Sequence, residues 1–185
     1  MDVTCHASVD EYFYEVVTGA LEEVHLEAAE PTEWYLVALL AEFTRARLPD
    51  EPLALMLAQS RGADPAQRVR TLKEVGDTSL YVAGFFAESL SKKLVDVDYY
   101  VGIGSSAYGE LASRLGGSLT EVYGELAGKF PGFVEVLAEI RRRVDFAGAD
   151  VVRLYEQWLR SRDEWVERKL RSFGVLVDPE GNPIH

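Results

Sequence analysis

The amino-acid sequence predicts an all-α protein, a compact bundle of about seven or eight helices with a short C-terminal tail or hairpin. Two observations lead to this prediction. Apolar residues recur at steps of three and four along most of the chain, which is the repeat of a helix with one buried face. Asp, Pro and Gly residues that suit helix starts and ends separate these stretches. A chain of 185 residues buries a sizeable core, and we expect one domain over residues 1–185 with flexible ends at 1–7 and 175–185.

The first third of the chain predicts three helices. Residues 8–11 (SVDE) have the spacing of a capping box, and the apolar residues after them indicate a helix to about Leu26. Pro31 suits the first turn of the second helix, whose run WYLVALLAEF is apolar on almost every side and is typical of a central helix. The segment DEPLALMLAQS begins with helix-starting residues and predicts a short third helix over residues 50–60.

Two long helices follow. The pair Asp-Pro at residues 64–65 opens the fourth helix, which the pattern extends to about Leu94 with a break at residues 76–77. Asp98 caps the fifth helix, and the glycines at residues 116–117 end it.

Three further helices complete the prediction. Residues 118–121 (SLTE) have the spacing of a second capping box and start a helix to Lys129. Pro131 starts the next helix, which ends in the arginines at 141–143, where cations suit the negative end of the helix dipole. The segment VVRLYEQWLRSRDEWVERKLRSF predicts the last helix, and the turn residues DPEG in the tail over residues 175–185 indicate a short hairpin.

The charge of the chain argues against two classes of partner. A net charge of −12 disfavours nucleic acid, whose binding requires cations that neutralise phosphates, and it equally disfavours an anionic membrane surface. Residues 1–60 contain 12 acidic and 2 basic residues, so the acidic excess belongs to the first helices. A solvated helix face explains this excess most simply, and a surface for a basic partner or a cation is the alternative.

Cysteine usage and hydropathy indicate the compartment. Cys5 is the only cysteine, so no intrachain disulfide forms and an oxidising compartment is not implied. The N-terminus lacks the basic and apolar regions of a signal peptide, and no apolar run approaches the roughly 20 residues that span a bilayer. We therefore expect a cytoplasmic protein that does not bind membranes.

Small residues form one row on each of the two long helices. The row on the fourth helix is Gly76, Ser79, Ala83 and Ala87, and the row on the fifth is Gly102, Ser105, Ser106, Gly109 and Ser113. Glycine inside a helix costs about 1 kcal/mol relative to alanine. Repeated glycines therefore indicate either a second helix backbone in close contact or a flat ligand against the row. Close contact between two copies of the chain fits as well as contact within one.

Asp77 is the acidic residue that the sequence singles out, because it lies beside a glycine inside an otherwise apolar helix. We expect it to be buried and to pair with Thr78 or a backbone amide. A local kink that the carboxylate satisfies is the simpler interpretation, and a functional carboxylate with a shifted pKa is the alternative.

A metal site is one candidate for the first two helices. Glu22 and His25 have the E-x-x-H spacing of di-iron carboxylate bundles, and Glu42 in the second helix would supply a further carboxylate. A second E-x-x-H motif is absent, and the chain has only 3 histidines. A histidine cation at a helix end, favoured by the helix dipole, explains His25 without a metal.

A heme site is the second candidate. The segment ALEEVHLEAAE locally resembles the part of heme oxygenases that provides the axial heme histidine. This resemblance implies that His25 ligates heme iron and that Gly102, Gly104 and Gly109 let the porphyrin approach a helix backbone. The chain reads VGIGSSAYG where that family has the motif G-D-L-S-G-G.

Most of the chain resembles a family of bacterial, mainly proteobacterial, all-helical proteins of unknown function. The resemblance lies in TEWYLVALLAEF, in VGDTSLYVAGFFAESLSKKLVDVDYYVGIGSSAYGELASR and in LYEQWLRSRDEWVERKLRSFGV. It implies a compact cytoplasmic bacterial domain and carries no activity.

The sequence thus predicts a non-enzymatic protein that acts through protein association, including a homodimer, with the small-residue helices at its centre. Neither Cys5 nor Ser105 lies in a recognisable catalytic motif, although this leaves open whether the protein is an enzyme. The alternative is a helical protein that binds heme, a metal or an apolar ligand through His25 and the Gly102–Gly109 face.

Overall fold

The structure is a computed structural model that describes residues 9–43, 48–86, 96–143 and Arg162. These residues form seven helices and no strand, which confirms the all-α prediction. None of the helices in this part of the chain is long and apolar enough to cross a membrane. The helices are α1 (Val9–Val24), α2 (Glu30–Phe43), α3 (Leu53–Ser60), α4 (Pro65–Phe85), α5 (Val97–Arg114), α6 (Ser118–Gly128) and α7 (residues 130–143).

The contacts divide the chain into two units, Val9–Arg141 and a second unit made of the remaining residues. The single domain remains a prediction. The predicted last helix and the C-terminal hairpin lie outside the described residues, apart from Arg162. The predicted capping box at the start of α1 also lies partly outside them, because Ser8 is not described.

Helix α4 is the most deeply buried helix of the first unit. Every residue from Val75 to Leu80 is buried, so this part of α4 is enclosed on all sides. The sequence suggested that α2 is the central helix, but α2 exposes Trp34 and Ala38. Helix α4 packs against α3 and α5, α5 against α6, and α2 against α1 and α6.

The predicted break in α4 at Gly76 is wrong, because the helix continues through Gly76 and Asp77 to Phe85. Its predicted end near Leu94 is also too late, since Phe86 already leaves the helical conformation. The glycine at position 76 is explained by packing instead. A Cβ atom built on Gly76 would lie 2.5 Å from Cε1 of Tyr108, so the neighbouring ring occupies the space that a side chain would need.

The helix starts follow their local sequences with two exceptions. The carboxylate of Asp64 caps α4 as predicted, accepting a 2.9 Å hydrogen bond from the Gln67 amide. Helix α5 is capped by Asp96 and not by Asp98, which lies in its first turn. The second predicted capping box, in the segment SLTE, is wrong because Gly117 occupies the N-cap of α6 without a side-chain hydrogen bond.

An ion pair joins α4 to α5. Arg68 donates from Nε and Nη2 to the two carboxylate oxygens of Glu110, both at 2.7 Å, and from Nη1 to Ser60 at 3.0 Å. Arg114 donates to the same carboxylate at 2.8 Å. These hydrogen bonds, chiefly those from Arg68, lower the pKa of Glu110 although partial burial opposes them.

Candidate functional site

Asp77 is a carboxylate in the buried stretch of α4, with a side chain only 6% exposed. Its position on the helix directs it toward α2 and α5, where two tyrosine hydroxyls meet it. Burial of a carboxylate is costly unless each of its oxygens is hydrogen-bonded or paired with a cation. The surroundings of Asp77 meet both conditions.

Both carboxylate oxygens of Asp77 have partners. Tyr35 of α2 and Tyr108 of α5 donate their hydroxyls to Oδ1, at 2.5 and 2.7 Å. Lys73, one helical turn earlier on α4, donates from Nζ to Oδ2 at 2.6 Å. Three helices therefore meet at one carboxylate. We call Asp77, Tyr35, Tyr108 and Lys73 the Asp77 cluster.

The cluster reaches the surface on its lysine side. The side chain of Lys73 is 41% exposed, and its Nζ lies 3.7 Å from a carboxylate oxygen of Glu42 and 5.7 Å from the centre of the Tyr35 ring. The rings of Tyr35 and Tyr108 also contact Tyr123 of α6, at centroid distances of 5.4 and 5.7 Å. The buried end of the cluster is thus closed by aromatic rings.

The electrostatics keep Lys73 and the two tyrosines protonated. Burial, with the neighbouring Asp77 carboxylate adding to it, raises the pKa of the Tyr35 and Tyr108 hydroxyls far above their usual value, so both remain proton donors. Burial acts to lower the pKa of Lys73, but the charge of Asp77, the hydrogen bond to it and the charge of Glu42 together outweigh burial and raise the pKa. A protonated lysine and two protonated tyrosines supply neither a base nor a nucleophile. The arrangement is that of an ion pair within α4 whose carboxylate also accepts hydrogen bonds from tyrosines of α2 and α5.

The sequence predicted the burial of Asp77 but not its partners. The predicted partners, Thr78 and a backbone amide, are wrong, because the hydrogen bonds come from the side chains of Tyr35, Tyr108 and Lys73. One partner was readable from the sequence, since Lys73 and Asp77 have the i,i+4 spacing of a helical ion pair. The two tyrosines lie 42 and 31 residues away along the chain, where no local pattern links them to Asp77.

The first row of small residues is a packing surface. Gly76, Ser79 and Ala83 are buried, and Ala87 lies outside the described residues. On the facing side of α5, a Cβ atom built on Gly104 would lie 2.3 Å from Cζ of Phe130 and 2.8 Å from Cβ of Ser79. Close packing therefore explains Gly76, Ser79 and the glycine at position 104.

The second row has a different environment. Its members at positions 102, 106, 109 and 113 are exposed, on the side of α5 opposite the buried residues Gly104, Ala107, Tyr108 and Leu111. A Cβ atom built on Gly102 would have no neighbour within 4 Å, and one built on Gly109 would meet only Cβ of Ala127, at 4.0 Å. Packing within the described residues therefore does not explain either glycine. We call Gly102, Ser106, Gly109 and Ser113 the outer face of α5.

His25 lies just after α1, where it ends the helix. Its φ is 57°, its amide donates to the carbonyl of Glu22, and the next amide, of Leu26, donates to the carbonyl of Leu21. This is a Schellman ending, in which glycine is the usual residue at the left-handed position. The described residues that line the groove beside His25 belong to α1, the following loop and α2, and none is a glycine of α5.

The structure does not assemble the candidate metal ligands. Across residues 9–43, 48–86 and 96–143, no group of three or more His, Cys, Asp or Glu side chains could hold a metal ion. Glu22 and His25 are exposed at the end of α1, whereas Glu42 lies beside Lys73. A heme or metal bound by these residues stays a prediction without support from their geometry.

No protein-family model matches the chain, and no curated protein or solved structure matches it. The resemblances to a bacterial helical family and to heme oxygenases therefore stay predictions.

Proposed function

We propose that this protein acts through protein association, as a homodimer formed by the outer face of α5, and that it has no catalytic machinery. The observation that carries the proposal is the exposure of Gly102 and Gly109 on a well-formed helix. A second α5 helix, from another copy of the chain, would use the space above both glycines.

Helix propensity gives the first supporting argument. Each glycine inside a helix costs about 1 kcal/mol relative to alanine. At Gly104, Phe130 and Ser79 lie so close that only glycine fits, which explains why the helix accepts this cost. At Gly102 and Gly109, no described contact requires it. Close approach of a helix from a second chain would give these residues the same role that Gly104 has inside the bundle.

Charge gives the second argument, since it disfavours a dimer formed by α1 and α2. Residues 9–43, which contain α1 and α2, include nine acidic residues and no lysine or arginine. Two such surfaces would repel each other in a symmetric contact. The four residues of the outer face of α5 are uncharged, and the exposed residues Asp98 and Tyr99 lie near its N-terminal end. Aromatic side chains beside uncharged surface are typical of interface centres.

The lone cysteine, Cys5, supports a further proposal, that the protein is cytoplasmic.

Sedimentation equilibrium over a wide range of protein concentrations tests the association directly. We expect the wild-type chain to be a dimer, and we expect Gly102→Leu to shift the equilibrium strongly toward monomer, because the leucine side chain would hold two helix backbones apart. Gly124→Leu is the matched control. Gly124 is also an exposed helical glycine with no neighbour within 4 Å of a built Cβ atom, but it lies on α6.

Three results would contradict the proposal. A wild-type protein that is monomeric at every concentration would exclude the homodimer. A dimer that Gly102→Leu leaves intact would place the interface elsewhere. A dimer weakened equally by Gly102→Leu and by the control would show that the effect is not specific to α5. Circular dichroism of both variants would establish that each keeps the helix content of the wild type.

A further inference from the structure

We draw no further inference here: the strongest candidate, the groove between the C-terminal half of α1 and the start of α2 that is lined by Tyr14, Glu22, His25, Glu27 and Glu33, is a cluster of carboxylates around an open surface, and nothing in the structure shows what covers it.

Discussion

Asp77 of α4 accepts a 2.7 Å hydrogen bond from the hydroxyl of Tyr108 on α5, and the ring of that tyrosine lies where a side chain on the preceding residue, Gly76, would be. The two neighbouring positions therefore serve one contact. The glycine makes room for the aromatic ring, and the aspartate fixes the hydroxyl at its end. This explains a Gly-Asp pair within a buried, unbroken helix without a kink.

The hydrogen bond between Tyr108 and Asp77 gives the first prediction. Tyr108→Phe keeps the ring but removes a donor to a buried carboxylate, and we expect it to lower the free energy of unfolding by about 1.5–3 kcal/mol. Urea unfolding followed by circular dichroism measures the change. Tyr100→Phe, on the same helix, is the control and should change stability by less than about 0.5 kcal/mol. Equal effects of the two substitutions would show that the hydrogen bond has no special weight.

Lys73 and Asp77 give the second prediction. The side chain of Lys73 is 41% exposed and that of Asp77 is 6% exposed. If the ion pair is lost, water can therefore hydrate the lysine ammonium but does not reach the aspartate carboxylate. We expect Lys73→Met to destabilise the protein because it leaves the buried carboxylate without its cation. In a double-mutant cycle with Asp77→Asn, the double variant should lose less than the sum of the single losses, by roughly 0.5–3 kcal/mol. Strict additivity would mean that the two residues are not coupled.

Glu125 gives the third prediction, because it holds the start of α2 from a distant part of the chain. Its carboxylate accepts hydrogen bonds from the Ala29 amide at 3.1 Å, from the Thr32 hydroxyl at 2.6 Å and from Lys129 at 2.9 Å. Burial acts to raise the pKa of Glu125, but these hydrogen bonds outweigh it and lower the pKa below the ordinary value of 4.5. The ionised form is thus the one that the fold favours.

This shift fixes the sign of a pH effect. A carboxylate whose pKa is lowered in the folded state contributes stability fully above its ordinary pKa and loses that contribution as the pH falls through the folded-state pKa. We expect Glu125→Gln to cost about 1 kcal/mol at neutral pH, and the difference from wild type to vanish in strong acid. Urea unfolding at several pH values measures both quantities. A difference that stays constant with pH would contradict the predicted role of the charge.

His25 gives the fourth prediction. A residue with a side chain is strained at a φ of 57°, whereas glycine adopts this conformation freely. We expect His25→Gly to leave stability unchanged or to raise it by up to about 1 kcal/mol, and His25→Val to lower it, because a branched side chain tolerates the left-handed region poorly. Thermal unfolding of the two variants measures the contrast. If His25→Gly were clearly destabilising, the imidazole would have a stabilising contact beyond its place in the helix ending.

The predictable part of this fold is the part that local sequence determines. Asp64 begins α4 because its side chain caps a free backbone amide, and Pro65 suits the first position because it has no amide hydrogen to cap. Both effects act within one helical turn. The break predicted at Gly76 failed because the reason for that glycine is Tyr108, which lies on another helix. A local sequence pattern therefore shows that a residue such as Gly76 is unusual for its helix. The reason for that residue is a contact with another helix, which the local pattern does not contain.

The same limit applies to the candidate site. The sequence indicated a buried carboxylate at Asp77, yet Tyr35 and Tyr108 could not be assigned to it because nothing in their own helices distinguishes them from other core tyrosines. For the second row of small residues, the sequence predicted the shared helix face but not the direction in which that face points. Helical spacing placed Gly102 and Gly109 on one face correctly, but spacing alone does not tell whether a face points into the bundle or away from it.

Gly102 and Gly104 give the fifth prediction, because they lie two residues apart on α5 and face opposite directions. Gly104→Ala would place a Cβ atom 2.3 Å from the ring of Phe130, and we expect this overpacking to cost about 1–3 kcal/mol. Gly102→Ala meets no described atom within 4 Å, so alanine's helix propensity should raise monomer stability by about 1 kcal/mol. Urea unfolding at concentrations where sedimentation shows only monomer measures both effects, with Gly124→Ala on α6 as a control that should also be stabilising. A destabilising Gly102→Ala under these conditions would mean that the outer face of α5 is already in contact within the monomer, and the proposed dimer surface would then be unavailable to a second chain.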